Sequence, residues 1–289
     1  MKGYKGYEKG LICRGKQYAV GAVFEEDIAE ICKSGMHFCK NPLDILDYYP
    51  LIDADGNLTE FTEVAALDEA KTDDGKKFCT KKLKIGAKLS LSEFVKASFD
   101  VAYENIKAEA EKGGYNATLA GGYNAKLAGG SNAKLAGGDY ATLAGGDYAT
   151  LAGGYNATLA GGSNAKLAGG DGATLAGGSN AKLAGGDGAT LAGGDYAKLA
   201  GGSNAKLAGG YCATLAGGYC ATLAGGDSAL IVGDDGSVAK GGIGSVILLV
   251  SRDGDRNITA YKAIKIDGKR YKADVFYTLG ADGKVKVAE

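Results

Sequence analysis

One eight-residue phrase, Gly-Gly-Tyr-Asn-Ala-Thr-Leu-Ala in its first copy, repeats fourteen times without a gap from Gly113 to Ala224. Positions one and two are always Gly-Gly, five is Ala, seven is Leu and eight is Ala. Position six is Thr or Lys, and positions three and four vary among Tyr, Ser, Asp, Asn, Gly and Cys. In Ala-Thr-Leu-Ala a period of two turns Ala and Leu inward and Thr or Lys toward water. The Gly-Gly pair is expected to turn the chain through positive φ. One such unit cannot bury its leucine alone, whereas stacked neighbours can. An eight-residue coil is too tight to enclose these side chains, so two octads are expected per turn. The spacing therefore predicts a two-sided β-solenoid of 16-residue coils, seven coils from fourteen octads, on the order of 34 Å long at ~4.8 Å per strand.

Composition agrees with turn chemistry rather than disorder. Glycine reaches 50 residues with only two prolines, no Gly-X-Y triplet is present, and the excess recurs at fixed phase. The formal charge is −1. Residues 1–112 carry 17 basic and 20 acidic groups, 113–232 six of each, and 233–289 ten and eight. No basic stripe for phosphate emerges, so neither nucleic acid nor a membrane is an expected partner. The opening Met-Lys-Gly-Tyr-Lys-Gly-Tyr lacks an apolar run, and Val246–Val250 is too short to span a bilayer. A cytoplasmic location is expected, with the six cysteines as reduced thiols.

Four segments follow: a small α+β domain at 1–88, a capping helix at 89–112, the solenoid at 113–248 and a C-terminal β cap at 249–289. In the first, short strands are expected at 10–15 and 17–20, and a helix over Glu25–Lys33. A second short helix is capped by Asn41 with Pro42 in its first turn and Leu43, Leu46 and Tyr49 on one face. Strands at Thr59–Ala65 and Lys82–Ile85 and a polar hairpin near Asp73-Asp-Gly75 complete it. Ser90-Leu-Ser-Glu93 has the form of a capping box, and the helix it opens is expected to reach Lys112 and lid the first coil. Beyond Ala224 the octad length survives while the composition becomes bulkier. Strands at Ser245–Ser251, Ile258–Ile266, Val275–Leu279 and Val285–Val287 would form one antiparallel sheet that blocks the open edge.

Cys13-Arg-Gly15, Gly35-Met-His-Phe-Cys39 and Asn41-Pro-Leu-Asp44 resemble an uncharacterised family of bacterial and phage proteins, in which such a domain precedes glycine-rich repeats. That resemblance implies no known activity. The order Tyr4-Lys-Gly6, Gly35-Met-His-Phe-Cys39, Leu46-Asp-Tyr-Tyr49 is similar to the strand motifs of ADP-ribosyltransferases, which would imply a nucleotide-binding domain or enzyme. No matching catalytic glutamate can be placed. The octads resemble the repeats of ice-nucleation proteins, whose coils also have 16 residues and whose outward Thr-x-Thr orders water. Here the second threonine is Ala throughout and the first is Lys at 126, 134, 166, 182, 198 and 206.

His37 is the only histidine, so His37, Cys39 and Arg14 are the candidate catalytic residues. Two residues apart on a strand, His37 and Cys39 share a face, which suits a nucleophile–base pair and equally ordinary packing. Cys32, His37 and Cys39, with Cys13 or Cys79, have zinc-binding donors, but in no standard spacing, and no metal or cofactor is expected. Tyrosines divide four and four between the coil edges, so no single-edge ladder is expected. Cys212 and Cys220 should sit on opposite edges, unbridged. The leading functional expectation is a non-catalytic scaffold that offers a near-neutral surface to a protein partner or a second copy. Candidate surface residues are Tyr115, Thr118, Tyr123, Lys126, Lys134, Thr142 and Thr150. An N-terminal enzyme or nucleotide-binding domain is the alternative, and ice binding the third.

Overall fold

The computed structural model describes residues 1–53, 57–91, 93–94, 97–98, 100–101 and 111–288. They divide into two compact units, Met1–Val101 and Ala102–Glu289.

The second unit is the expected solenoid. Its strands pair in parallel with the strand 16 residues on, Thr142 with Thr158 and Leu143 with Leu159, for example. Alternate octads feed an 11-stranded and a 10-stranded sheet. Inside, Ala141, Leu143, Ala149 and Leu151 are at most 1% exposed, and the pattern runs to Ile231 as one continuous apolar core. Burying each leucine contributes about 2 kcal/mol, an amount available only when coils stack.

The glycines work differently from the expectation. Position four, not the Gly-Gly pair, takes the left-handed turn, with φ of 51° to 60° at its Asn, Tyr, Cys and Ser residues. The first glycine is needed for space. A Cβ on Gly161 would fall 2.7 Å from Ala165 Cβ and 2.8 Å from Leu167 Cδ1. The second lies against the preceding coil: a Cβ on Gly170 would sit 2.9 Å from the carbonyl carbon of Gly154. Corner backbone groups pair along the stack, Gly153 N–H donating to Ala168 O at 2.9 Å and Thr158 N–H to Ala141 O at 2.8 Å. Aspartate at position three joins this ladder. Asp139 and Asp147 Oδ1 accept the backbone N–H of Tyr155 and Ser163 at 2.8 and 2.7 Å.

At the C-terminal end each sheet closes separately, instead of through one added sheet. Ile258–Lys265 pairs antiparallel with Val246–Arg252 on the 10-stranded sheet. Tyr277–Leu279 pairs antiparallel at Ala239 on the other, followed by Val285–Val287. Ser237 and Ser245 replace the inward alanine here, and their hydroxyls donate to Gly218 O and Gly226 O, each at 2.9 Å. At the other end Glu111–Lys112, expected as helix, begins the 11-stranded sheet by pairing with Leu127 and Ala128. The expected lid over the first coil falls on 102–110, outside the described residues.

The first unit is a seven-stranded antiparallel sheet. Its order is Val23–Glu25, Lys82–Leu89, Glu60–Ala66, Lys2–Tyr7, Met36–Cys39, Lys77–Thr80 and Ala70–Lys71. Tyr7, Met36, Phe38, Leu83 and Ile85 form its core. The helix expected over Glu25–Lys33 is absent. That stretch begins in a strand and ends in a tight turn bridging Glu30 to Ser34. Glu26 spends its carboxylate on Gly35 N–H, and Cys32 is left-handed at φ 62°. Pro42–Asp47 is a 3-10 helix with Asn41 accepting from Leu43 N–H, and its tighter winding buries Ile45 in place of Leu46. The capping box forms: Glu93 N–H donates to Ser90 Oγ at 3.3 Å, and Ser90 N–H to Glu93 Oε2 at 2.8 Å. Phe94 then stacks on Phe61 at 3.9 Å.

Gly161→Ala should lower unfolding stability by about 1–3 kcal/mol, because the new methyl overpacks the coil corner. Tyr148→Asn, which relieves a left-handed tyrosine, should raise it by roughly 0.5–1 kcal/mol. Denaturant unfolding of both variants beside the native chain reads the two opposite signs.

Candidate functional site

A cavity of about 290 Å³ opens in the first unit, lined by residues from Lys2–Tyr7, the hairpin after it, Met36–Cys39 and the 3-10 helix. Gly6 makes room for that helix, since a Cβ there would meet Ile45 Cγ2 at 2.5 Å and the Tyr49 ring at 3.2 Å. The hairpin tip, Arg14-Gly15, has two left-handed residues at φ 51° and 73°, the conformation of a tight two-residue turn. It places Cys13 on the cavity wall.

The walls combine aromatic rings with positive charge. Tyr4, Tyr18, Phe38, Tyr48 and Tyr49 face the space together with Lys5, Arg14, Lys16, Lys33 and Lys77. Glu26 is the one carboxylate among the lining residues. It is engaged by Lys16 Nζ at 2.8 Å and by Gly35 N–H at 3.0 Å. Lys77 Nζ lies 4.3 Å from the centre of the Tyr48 ring. Lys5 is buried, donating to His37 O at 2.9 Å and Cys13 Sγ at 3.3 Å. It also sits 5.4 and 5.3 Å from the Tyr7 and Tyr18 rings. Burial lowers its pKa below the usual lysine value, and the neighbouring Cys13 opposes that shift.

The catalytic candidates His37, Cys39 and Arg14 do line this one cavity, but they do not form a nucleophile–base pair. His37 Nε2 accepts Cys32 N–H at 3.0 Å, so the imidazole holds a turn. Burial, then Lys5 and Arg14, keep it below the usual histidine range. Cys39 is buried, and desolvation followed by Asp44 and Asp47 pushes its thiol up to about 12, the opposite of an activated nucleophile. Cys32 touches His37 through its backbone, and its thiol is exposed. Among the described residues no three His, Cys, Asp or Glu side chains converge as a metal site. Lys5 and Tyr49, which the sequence offers only within strand and helix motifs, were not among its candidate site residues. The signal for Lys5 was a charge in the Lys-Gly-Tyr-Lys-Gly-Tyr strand, two residues from a core tyrosine.

The surface candidates scatter. Thr118, Lys134 and Thr150 are exposed on the 10-stranded sheet. Lys126 and Thr142 stand on the 11-stranded sheet, where Thr142 is half-buried. Tyr115 and Tyr123 occupy opposite edges. The sheets differ: outward alanines such as Ala152 and Ala168 are exposed on the 10-stranded sheet, while Ala144 and Ala160 on the other are buried. Four threonines, Thr142, Thr158, Thr174 and Thr190, stack on that less accessible sheet. The exposed face carries Lys166, Lys182 and Lys198 on adjacent rungs. Short tyrosine stacks form on each of the two edges. Tyr123, Tyr140 and Tyr155 follow one edge at 5.4 and 5.7 Å, and Tyr196 meets Tyr211 at 5.6 Å. Cys212 and Cys220 precede strands of different sheets, and all six thiols are free.

Residues 1–97 match the model of a domain of unknown function, DUF7666. No curated protein and no solved structure matches the chain. The chain thus combines a scaffold-like β-solenoid fold with an N-terminal domain of unknown function. No described helix is long and apolar enough to cross a membrane.

In the first turn of the 3-10 helix, burial followed by Asp47 and Asp74 raises Asp44 to about 6 against the opposing Lys76. A carboxyl whose folded pKa is raised stabilises the fold at acid pH, and stability falls as pH climbs from about 4 to 6. Asp44→Asn should therefore be more stable than the native chain at pH 7, with the gain vanishing by about pH 4. Melting curves across that range check the sign.

Proposed function

We propose that the chain is a scaffold whose working site is the N-terminal cavity, and that this cavity binds a small anion no larger than a mononucleotide. The observation that carries this reading is the charge balance of the walls. Five basic side chains border a space whose single lining carboxylate is already engaged by Lys16 and a backbone amide. Lys33 pairs with Glu30 outside the lining, which leaves Arg14 and Lys77 as the cations nearest to free, with the buried Lys5 beside them. Five aromatic side chains supply apolar surface for a planar portion of the ligand. The near-neutral whole chain hides this local excess. The solenoid is then a rigid support, and its engaged aspartates belong to the corner ladder.

A second reading, a protein partner or a second copy on the 10-stranded sheet, is favoured by one observation. That sheet is the face with exposed alanines and a run of three stacked lysines. An acidic partner suits it. Ice binding is disfavoured, because lysine interrupts the threonine row on the exposed face.

Calorimetry of the full chain with AMP, pyrophosphate and adenosine tests the main reading. AMP and pyrophosphate should bind, adenosine should bind at least tenfold more weakly, and Lys77→Gln should weaken AMP about tenfold. Absence of heat with both anions, or equal binding of adenosine and AMP, would refute it.

A further inference from the structure

We propose that Cys13 is a nucleophile of this cavity, oriented by Lys5 and Tyr49, and that the anion taken there carries an electrophilic carbon. The proposal rests on the anion-binding reading above and adds covalent chemistry to it. Cys13 Sγ lies 3.3 Å from Lys5 Nζ and 2.9 Å from the Tyr49 hydroxyl. A lysine Nζ–H donating to a sulfur with a phenol hydroxyl beside it is a surrounding that turns a thiol into an attacking group.

Both partners are fixed by the fold. Lys5 is 4% exposed, pinned by His37 O and by two tyrosine rings. Tyr49 is held at the end of the 3-10 helix, its N–H donating to Ile45 O at 2.8 Å. The sulfur itself is half-buried on the cavity wall rather than sealed in the core. The other thiols differ. Cys39 and Cys79 are buried and pushed up by desolvation. Cys32 does not line the cavity, and Cys212 and Cys220 stand on solenoid corners. The positive walls would draw an anionic electrophile toward Cys13, the half-buried one of the two lining thiols, Cys39 being buried.

In the step, a sulfur electron pair forms the S–C bond while the leaving group departs with its own bonding pair. The thiol proton leaves to solvent past the Tyr49 hydroxyl. No oxidant, reductant or second substrate is required.

The test alkylates the folded full chain with limiting iodoacetate or iodoacetamide and follows each of the six cysteines by mass spectrometry. Cys32, exposed and outside the cavity, is the internal reference. Cys13 should react at least tenfold faster than Cys32 with either reagent. Its preference for iodoacetate over iodoacetamide should exceed that of Cys32. Tyr49→Phe, which removes one hydroxyl, should slow Cys13 about tenfold with both reagents while the anion preference persists. Lys5→Met should slow it further, and Tyr49→Phe carries the test if burial of position 5 makes that variant unstable. Cys13 reacting no faster than Cys32, or at an unchanged rate in Tyr49→Phe, overturns the nucleophile assignment. Fast reaction without any preference for iodoacetate instead overturns the anion-binding reading on which it rests.

Discussion

The close approach of each first-position glycine to the alanine and leucine of its own octad is the contact on which the solenoid depends. A hydrogen in place of Cβ lets the chain bend across the corner until Ala165 and Leu167 sit against Gly161. That bend makes eight residues cover one side of a coil, and so makes 16 the repeat of the parallel pairing. Leucines then stack on leucines, and the corner amides find carbonyls in the adjacent coil. Variation is confined to position six on the outer face, to position three at the corner, and to position four, where Asn is replaced by Tyr or Cys at some steric cost.

The same economy of atoms shapes the N-terminal cavity. Gly6 admits the 3-10 helix to the sheet, and that helix brings Tyr49 to Cys13. Lys5, one residue earlier, is buried between rings, where a carbonyl and a sulfur accept from its Nζ. His37, the residue that chemistry would suggest first, is used to hold the Cys32 turn. The cavity thus takes its character from lysines and tyrosines gathered from five separate segments.

Much of the rod could be read directly from the chain, because an exact repeat reports its own constraints. Invariant Ala and Leu at alternate positions identify the inside, and a coil of 16 follows from side-chain volume. The role assigned to Gly-Gly was wrong in mechanism, since glycine permits both a left-handed turn and a close contact, and composition does not distinguish them. The helix expected over Glu25–Lys33 failed for a related reason. Ile28, Ile31 and Cys32 have helical spacing, yet Glu26 and Gly35 pair across the segment and Ile28 ends up exposed.

Local rules therefore account for the solenoid, where each residue pairs with its counterpart in the next coil and the pattern of one octad specifies those contacts. The capping box at Ser90 and the cap at Asn41 belong to the same class, being hydrogen bonds within three residues. The cavity does not. Lys5, Cys13, His37 and Tyr49 meet only because antiparallel pairing sets Tyr4 beside Cys39 and the 3-10 helix folds back onto the same strand. Non-local pairing brings charges from distant segments into one low-dielectric space, and no local pattern records that convergence.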